Sequence, residues 1–284
     1  MRISIIVPTY NNLKYLKFFL LSLKKNSKFD HEIILHINDG SDGTLDYAIN
    51  NKIKHTFSKD NIGLCSSMNK AYTITSTNYI LYAHDDMFFC KHWDTFLVNE
   101  IKRYNHNLYY LTGTNVSSRY GLINFDCGSE LSNFNEGKFD KFCQTDNTLD
   151  LQGSHWAPHL IHRDVWDKIN GFSEEFTPGD GSDPDFCMKL WLANVRIFKG
   201  ISKFKVYHFN SITTRNNKIV LNNGTKQFLL KYGFNPRFFR KYYLKGNNNI
   251  IPFIGELTTP KITFFMLKDI LINKSKYFLL KFRS

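Results

Sequence analysis

Residues 79–89 read Tyr79-Ile80-Leu81-Tyr82-Ala83-His84-Asp85-Asp86-Met87-Phe88-Phe89. An apolar run of strand length ends on two adjacent carboxylates and then resumes. Dehydrated like charges repel strongly, so the doublet must be compensated by a cation or by the hydroxyls of a ligand. The other reading is a helix N-terminus, where Asp caps free N–H groups and suits the dipole. The upstream sequence favours the first. Ile3-Ser4-Ile5-Ile6-Val7 runs into Pro8-Thr9-Tyr10-Asn11-Asn12, and Ile33-Ile34-Leu35-His36-Ile37 runs into Asn38-Asp39-Gly40-Ser41-Asp42-Gly43. Three apolar strands thus finish in polar, turn-forming clusters, each followed by helical spacing. In an open α/β sheet such strand ends converge on one ligand crevice.

Between these strands, Leu13, Leu16, Phe19, Leu20 and Leu23 recur at helical spacing, and Leu64, Met68, Ala71 and Tyr72 share one face of a second helix. A short helix is expected over 44–51. Alternation of strand and helix over 1–100 predicts a parallel sheet with right-handed crossovers. No G-x-G-x-x-G follows the first strand and no G-x-x-x-x-G-K-[ST] occurs, which excludes the usual dinucleotide fingerprint and the P-loop. Past residue 105 the pattern changes: a strand at 108–112, a polar connection over 116–150, and regular structure again from 156 to 161. Helices are expected near 164–169 and 183–193, short strands at 195–198 and 204–207, and an Asn/Thr-rich linker at 210–224.

With 284 residues and 42% hydrophobic content, the chain can bury one sizeable core with appended elements. No apolar stretch reaches the ~18 residues of a membrane span, and Arg2 leads straight into a strand, so a cytoplasmic location is expected. Five scattered cysteines without C-x-x-C spacing read as reduced packing residues. The net charge of +12 is concentrated: residues 225–284 hold twelve Lys and Arg against Glu256 and Asp269, a net of +10. Aromatics are interleaved with these cations. That composition suits an anionic membrane surface, while packing of the aromatics on the core is the plain alternative and single-stranded nucleic acid the least favoured partner. Oligomeric state is not legible.

The order Ile-Ile-Val-Pro-Thr-Tyr-Asn-Asn, Asn38-Asp39-Gly40-Ser41-Asp42-Gly43-Thr44, Asn61-x-Gly63 with Asn69, His84-Asp85-Asp86, Arg163 to Phe172 and Asp183-Pro184-Asp185-Phe186-Cys187-Met188-Lys189-Leu190-Trp191 resembles the family 2 glycosyltransferases of the GT-A fold. The resemblance spans roughly 1–210. It implies a Rossmann-like, mostly parallel sheet flanked by helices over 1–224, with a nucleotide-binding half (1–104) and an acceptor-binding half (105–224); beyond it, the basic, aromatic composition of 225–284 reads as a mainly helical extension. It further implies an inverting enzyme that moves a sugar from a nucleoside diphosphate sugar, UDP-linked by preference, to an acceptor hydroxyl; a tail held at a membrane would make that acceptor a glycan or a lipid-linked one. A divalent cation, Mn²⁺ or Mg²⁺, would stabilise the departing diphosphate.

Residue by residue, the resemblance places Pro8, Thr9, Tyr10, Asn11, Asp39, Gly63, Asn69, His84 and Asp85 around the donor, with Asp39 accepting from a uracil imide. Asp86 is favoured on the metal, with Asp85 sharing metal and ribose duties, and His208 matches a histidine that reaches the metal or diphosphate in relatives; a structural role for it is equally open. Asp183 matches the general base, with Asp185 next in line; the alternative is an N-cap for a helix opening at Pro184. His155 and Trp156 sit where relatives line the acceptor pocket, or else in the core. Two departures stand out. Ala83 and His84 occupy the front of the usual acidic triplet, and Asn38 replaces the first acid of an Asp-Asp pair. The first leaves room for a non-catalytic glycan- or membrane-binding module on the same fold; a nucleotidyltransferase is the third reading.

Overall fold

The computed structural model describes residues 1–209, 222–246 and 251–282. The first half alternates as β1 (Ser4–Tyr10), α1 (Leu13–Asn26), β2 (Glu32–Asn38), α2 (Thr44–Asn50), β3 (Lys54–Ser58), α3 (Gly63–Tyr72), β4 (Tyr79–Tyr82), β5 (Met87–Phe89) and α4 (Trp93–Ile101). The second half holds β6 (Tyr109–Ser117), β7 (Ile123–Asn124), α5 (Glu136–Thr145), β8 (Leu151–Gln152), β9 (His159–His162), α6 (Arg163–Ile169), α7 (Ser182–Leu192) and β10 (Ile197–His208). After it come α8 (Gly224–Tyr232), α9 (Pro236–Tyr242) and α10 (Phe264–Lys281). This is the mixed α/β architecture with a central sheet and flanking helices that the motifs imply.

One sheet runs β3-β2-β1-β4-β9-β6-β10-β5, with β7 beside β6 and β8 beside β10. β3, β2, β1 and β4 are mutually parallel, as are β6 and β10. β9 enters antiparallel between β4 and β6 and joins the two halves into one core. β1, β2 and β4 bury Ile5, Ile6, Val7, Ile34, Leu35, Ile80 and Leu81 completely or nearly so, as strands covered on both faces must. Their ends carry Thr9-Tyr10, Asn38-Asp39 and, past Ala83-His84 at the end of β4, Asp85-Asp86. The acid doublet lies in the tight link between two strands, not at a helix N-terminus.

Three expectations are corrected. The stretch 116–150 is no plain connection: it contains the end of β6, β7, a 3₁₀ turn (Leu131–Asn133) and α5. α5 buries only Phe139 fully and is fixed by Asn135, whose side chain accepts from Lys138 N, so its apolar period is too sparse to read. The two short strands at 195–198 and 204–207 are one strand, β10, with a register shift between Ile201 and Lys205. Lys199 and Lys205 interrupt its pattern because both are buried in ion pairs, Lys199 with Glu100 (2.7 Å) and Asp150 (2.8 Å), Lys205 with Asp146 (3.0 Å). α7 opens at Ser182, so Pro184 is its third residue. Of the linker-like segment 210–224, residues 210–221 lie outside those described, and 224 already begins α8.

The C-terminal extension divides in two. Phe228, Phe239 and Leu244 are fully buried, and Tyr243 packs edge-on against Trp191 with ring centroids 5.3 Å apart. Ile251 O accepts from Gln152 N and Leu257 N donates to Arg196 O, so residues 251–257 dock beside β8 and the start of β10. α10 instead leaves Phe264, Phe265, Leu271, Phe278, Leu279 and Phe282 largely exposed. No helix among the described residues is long and apolar enough to cross a membrane.

Candidate active site

A cleft of about 350 Å³ opens at the ends of β1, β2 and β4. Pro8, Thr9, Tyr10, Asn38, Gly63, His84, Asp85, Asp86 and Asp183 line it together with Asn61, Ser67, Tyr82 and the Pro178–Ser182 turn. Gly63 is required where α3 begins: its φ is +75°, a Cβ there would stand 2.4 Å from Thr177 Cγ2, and the next amide, Leu64 N, donates to Pro178 O at 3.0 Å. That contact draws the 177–183 segment over the strand ends.

The doublet divides. Asp85 accepts from Thr9 Oγ1 (2.6 Å) and Asn12 Nδ2 (2.9 Å), and burial with the neighbouring Asp86 raises its pKa. Asp86 turns the other way, its Oδ1 lying 3.0 Å from His208 Nε2, while His84 Nδ1 lies 3.2 Å from the same nitrogen. Burial, then His208, lowers the His84 pKa to about 4, so at neutral pH the ring keeps a lone pair for a cation. His84, Asp86 and His208 offer three ligand atoms within 4.8 Å of one another. Ligands about 2.1 Å from a common ion stand about 3 Å apart in adjacent positions, so the cluster fits one divalent cation. Asp85 is not part of this cluster; its oxygens are engaged by Thr9 and Asn12.

Asp183 is the second residue of α7, with Gly181 at the cap position and no side-chain cap bond. Its Oδ1 is buried without a hydrogen-bond partner, the one carboxylate oxygen in that condition among the described residues. An unsatisfied buried acceptor costs about 1–3 kcal/mol, and burial pushes the carboxyl pKa up to about 7. Asp185 is bound elsewhere: Lys231 Nζ donates to its Oδ1 at 2.8 Å and Tyr232 Oη at 2.7 Å. His155 and Trp156 line an adjoining cavity that shares Gly179, Asp180 and Asp183 with the cleft. Asn11 and Asp39 meet each other, Nδ2 to Oδ2 2.7 Å, outside the cleft lining. Asn69 also lies outside it, gripping Phe172 N and O at 2.9 Å each.

Sequence reasoning passed over Asn12, although the Asn-Asn doublet after β1 was a signal for it. It also passed over Arg240, which reaches the adjoining cavity from α9 and had no local signal at all. Asn38, read as a lost acid, has a structural reason to be an amide. Its Nδ2 donates to Ser67 Oγ (3.0 Å) and its Oδ1 accepts from Ile62 N (2.9 Å), a pairing one carboxylate cannot reproduce.

Comparison of the sequence with curated proteins returns no match. Among solved structures, the fold is similar to S. aureus TarS 1–349 in complex with UDP-GlcNAc (TM-score 0.56, 17% identity, 84% of this chain and 65% of that one). It is also similar to GalNAc-T7 with UDP, GalNAc and Mn²⁺ (0.58, 14%, 81% and 47%) and to the mannosyltransferase PcManGT from Pyrobaculum calidifontis in complex with GDP-Man and Mn²⁺ (0.51, 11%, 81% and 60%). The chain spans about 60% of the length of the TarS 1–349 structure that it matches at 20% identity. The sequence model described as "Glycosyl transferase family 2" matches residues 4–157, which carry β1 to β4, the Asn38-Asp39 turn and the His84-Asp85-Asp86 link. More than half of the chain lies within that match, and the chain belongs to glycosyl transferase family 2.

Proposed function

We propose that this protein is an inverting, metal-dependent glycosyltransferase that moves a sugar from a nucleoside diphosphate sugar, UDP-linked, to a hydroxyl of a glycan or lipid-linked acceptor. The observation that carries the reading is that Asp183 Oδ1, buried and unpartnered, lies in the same cleft as His84 and Asp86, two members of the His84–Asp86–His208 cluster. A hard divalent cation held there would offset the charge that develops on a departing diphosphate. His84, Asp86 and His208 would hold it, and Asp85 fixes the link by accepting from Thr9 and Asn12. Asp183, its basicity raised by burial, takes the proton of the acceptor hydroxyl as that oxygen attacks the anomeric carbon. A pKa near 7 is well matched to that task at neutral pH. Direct displacement by the acceptor oxygen, with no carboxylate serving as nucleophile, is what gives inversion. UDP is favoured because the TarS structures hold UDP and UDP-GlcNAc.

The exposed apolar and basic residues of α10 support work at the cytoplasmic face of an anionic membrane. Incubation of a nucleotide-sugar panel with Mn²⁺ and with chelator tests the reading. Release of UDP only with metal, and NMR of the product showing the opposite anomeric configuration to the donor, are the expected results. Pyrophosphate as the released product, or metal-independent turnover, would overturn it.

A further inference from the structure

The cavity beside the donor cleft, about 350 Å³, is lined by His155, Trp156, Asp183, Pro184, Thr225 and Arg240 among others. Arg240 comes from α9, outside the 4–157 family match. Its guanidinium meets His155, whose Nε2 lies 3.4 Å from Arg240 Nη1. His155 Nδ1 is 3.0 Å from Gly153 O, which makes Nδ1 the protonated nitrogen and leaves Nε2 to accept from the arginine; burial keeps this ring neutral by lowering its pKa to about 4. Among the described residues no carboxylate lies within 4 Å of Arg240, and segments 210–221, 247–250 and 283–284 contain no Asp or Glu.

Buried Lys199 and Lys205 and half-buried Lys231 each have a carboxylate at 3.0 Å or less, and Arg163, Lys189 and Arg196, which have none, donate to the carbonyls of Thr77, Gly171 and Trp191 instead, whereas among the described residues the guanidinium of Arg240 meets only the His155 ring. Half-burial and the nearby Arg237 both work against the Arg240 charge, so this guanidinium lacks a counter-charge that a ligand could supply. Its planar fork matches a phosphate or carboxylate. Trp156, held by Nε1–H donating to Gly113 O at 3.0 Å, adds a fixed aromatic face at the cavity.

We propose that this cavity binds an anionic acceptor, whose phosphate or carboxylate pairs with Arg240 while its hydroxyl is presented to Asp183. The proposal rests on the glycosyl-transfer reading above. Asp180 and Asp183 line the side shared with the donor cleft, so an oxyanion is repelled from that side and the neutral hydroxyl end is the one that meets the base.

The test is a titration of the full chain, saturated with UDP and Mn²⁺, with three probes: sn-glycerol 3-phosphate, glucuronate and uncharged glycerol. Binding of at least one anionic probe about 10-fold or more tighter than glycerol, weakened by raised salt, is expected. The two anionic probes separate a phosphate from a carboxylate acceptor. Arg240→Gln should remove the preference and Arg240→Lys should keep part of it, with UDP affinity unchanged in both. Equal binding of glycerol and both anions by the wild-type chain would overturn the proposal without any variant. A loss of UDP affinity in Arg240→Gln, with the fold intact by circular dichroism, would also overturn it by assigning the arginine to the donor diphosphate. Failure of the wild-type chain to bind UDP with Mn²⁺ would instead mark failure of the glycosyl-transfer reading itself.

Discussion

Asp86 Oδ1 and His208 Nε2 stand 3.0 Å apart because β10 and β5 pair antiparallel with His208 opposite Met87. The same pairing lets Phe209 N donate to Asp86 O at 3.1 Å. Register, rather than sequence proximity, therefore joins the two halves of the family-like region at the candidate cation cluster, with His84 Nδ1 3.2 Å from His208 Nε2.

That donor set has two imidazoles and one carboxylate. Nitrogen ligands favour Mn²⁺ over Mg²⁺, which prefers oxygen and keeps its waters. Calorimetry should show UDP binding strengthened by Mn²⁺ by about 10-fold or more over Mg²⁺, with His84→Ala and Asp86→Ala each removing most of the metal effect. Equal UDP affinity with Mn²⁺, Mg²⁺ and chelator would sink the assignment. Asp85→Asn, which can still accept from one partner, should be milder than Asp86→Ala.

The raised pKa of Asp183 has consequences for rate and for stability. If Asp183 is the base as proposed, transfer should climb with pH along a limb centred near 7, because only its carboxylate form can take the proton. Asp183→Asn should lower the rate by about 10²-fold or more with donor affinity little changed. For stability the sign runs against the carboxylate. The folded group holds its proton up to about pH 7, whereas the unfolded one releases it near pH 4, so this residue favours the fold at low pH and loses that contribution as pH rises from about 4 to 7. The Asn variant should consequently gain in melting temperature relative to wild type between pH 5 and pH 8. A pH-rate limb at pH 4, or no relative gain, would remove Asp183 from the base role.

Much of the donor side was legible because each motif follows a strand whose apolar run can be read locally: Ile3 to Val7, Ile33 to Ile37 and Tyr79 to Ala83. The acceptor side was less so. Lys199 and Lys205 broke the pattern of β10 because their acids, Glu100, Asp150 and Asp146, are distant in sequence and visible only once folded. Arg240 and the Lys231–Asp185 pair lie in a segment whose composition suggested a surface, and nothing local said that α8 and α9 would close over α7.

Asn38 gives a prediction on the donor side. Asn38→Asp would place a carboxylate where an N–H donates to Ser67 Oγ and lies 3.3 Å from Thr9 O, leaving that carbonyl facing a negative charge. A cost of about 1–3 kcal/mol in urea unfolding at pH 7 is expected, shrinking as the pH falls and the acid protonates. Unchanged stability would mean that the amide is incidental.

The divided extension predicts two different outcomes for two truncations. Ending the chain after residue 259 removes α10 but keeps Leu257, the 251–253 contacts with Asp150 and Gln152, and the Lys231–Asp185 pair at 2.8 Å. Its costs are the burial of Met266, the Asn235 N to Asn273 Oδ1 bond at the start of α9, and the Asp269 contacts with Lys241 and Tyr242 at its end. This shorter chain should stay folded and retain UDP binding, yet lose sedimentation with anionic vesicles, because Lys268, Lys274, Lys276 and the exposed Phe264, Phe265 and Phe278 are gone. Ending after residue 224 removes Phe228, Phe239 and Leu244 from the core and leaves Asp185 buried with neither Lys231 nor Tyr232; loss of one partner from a buried ion pair alone costs about 3–5 kcal/mol. That chain should be insoluble or unfolded. If the full-length protein ignores anionic vesicles at low salt, α10 is not a membrane element, and if the 224 truncation is soluble and binds UDP, α8 and α9 are not part of the catalytic unit.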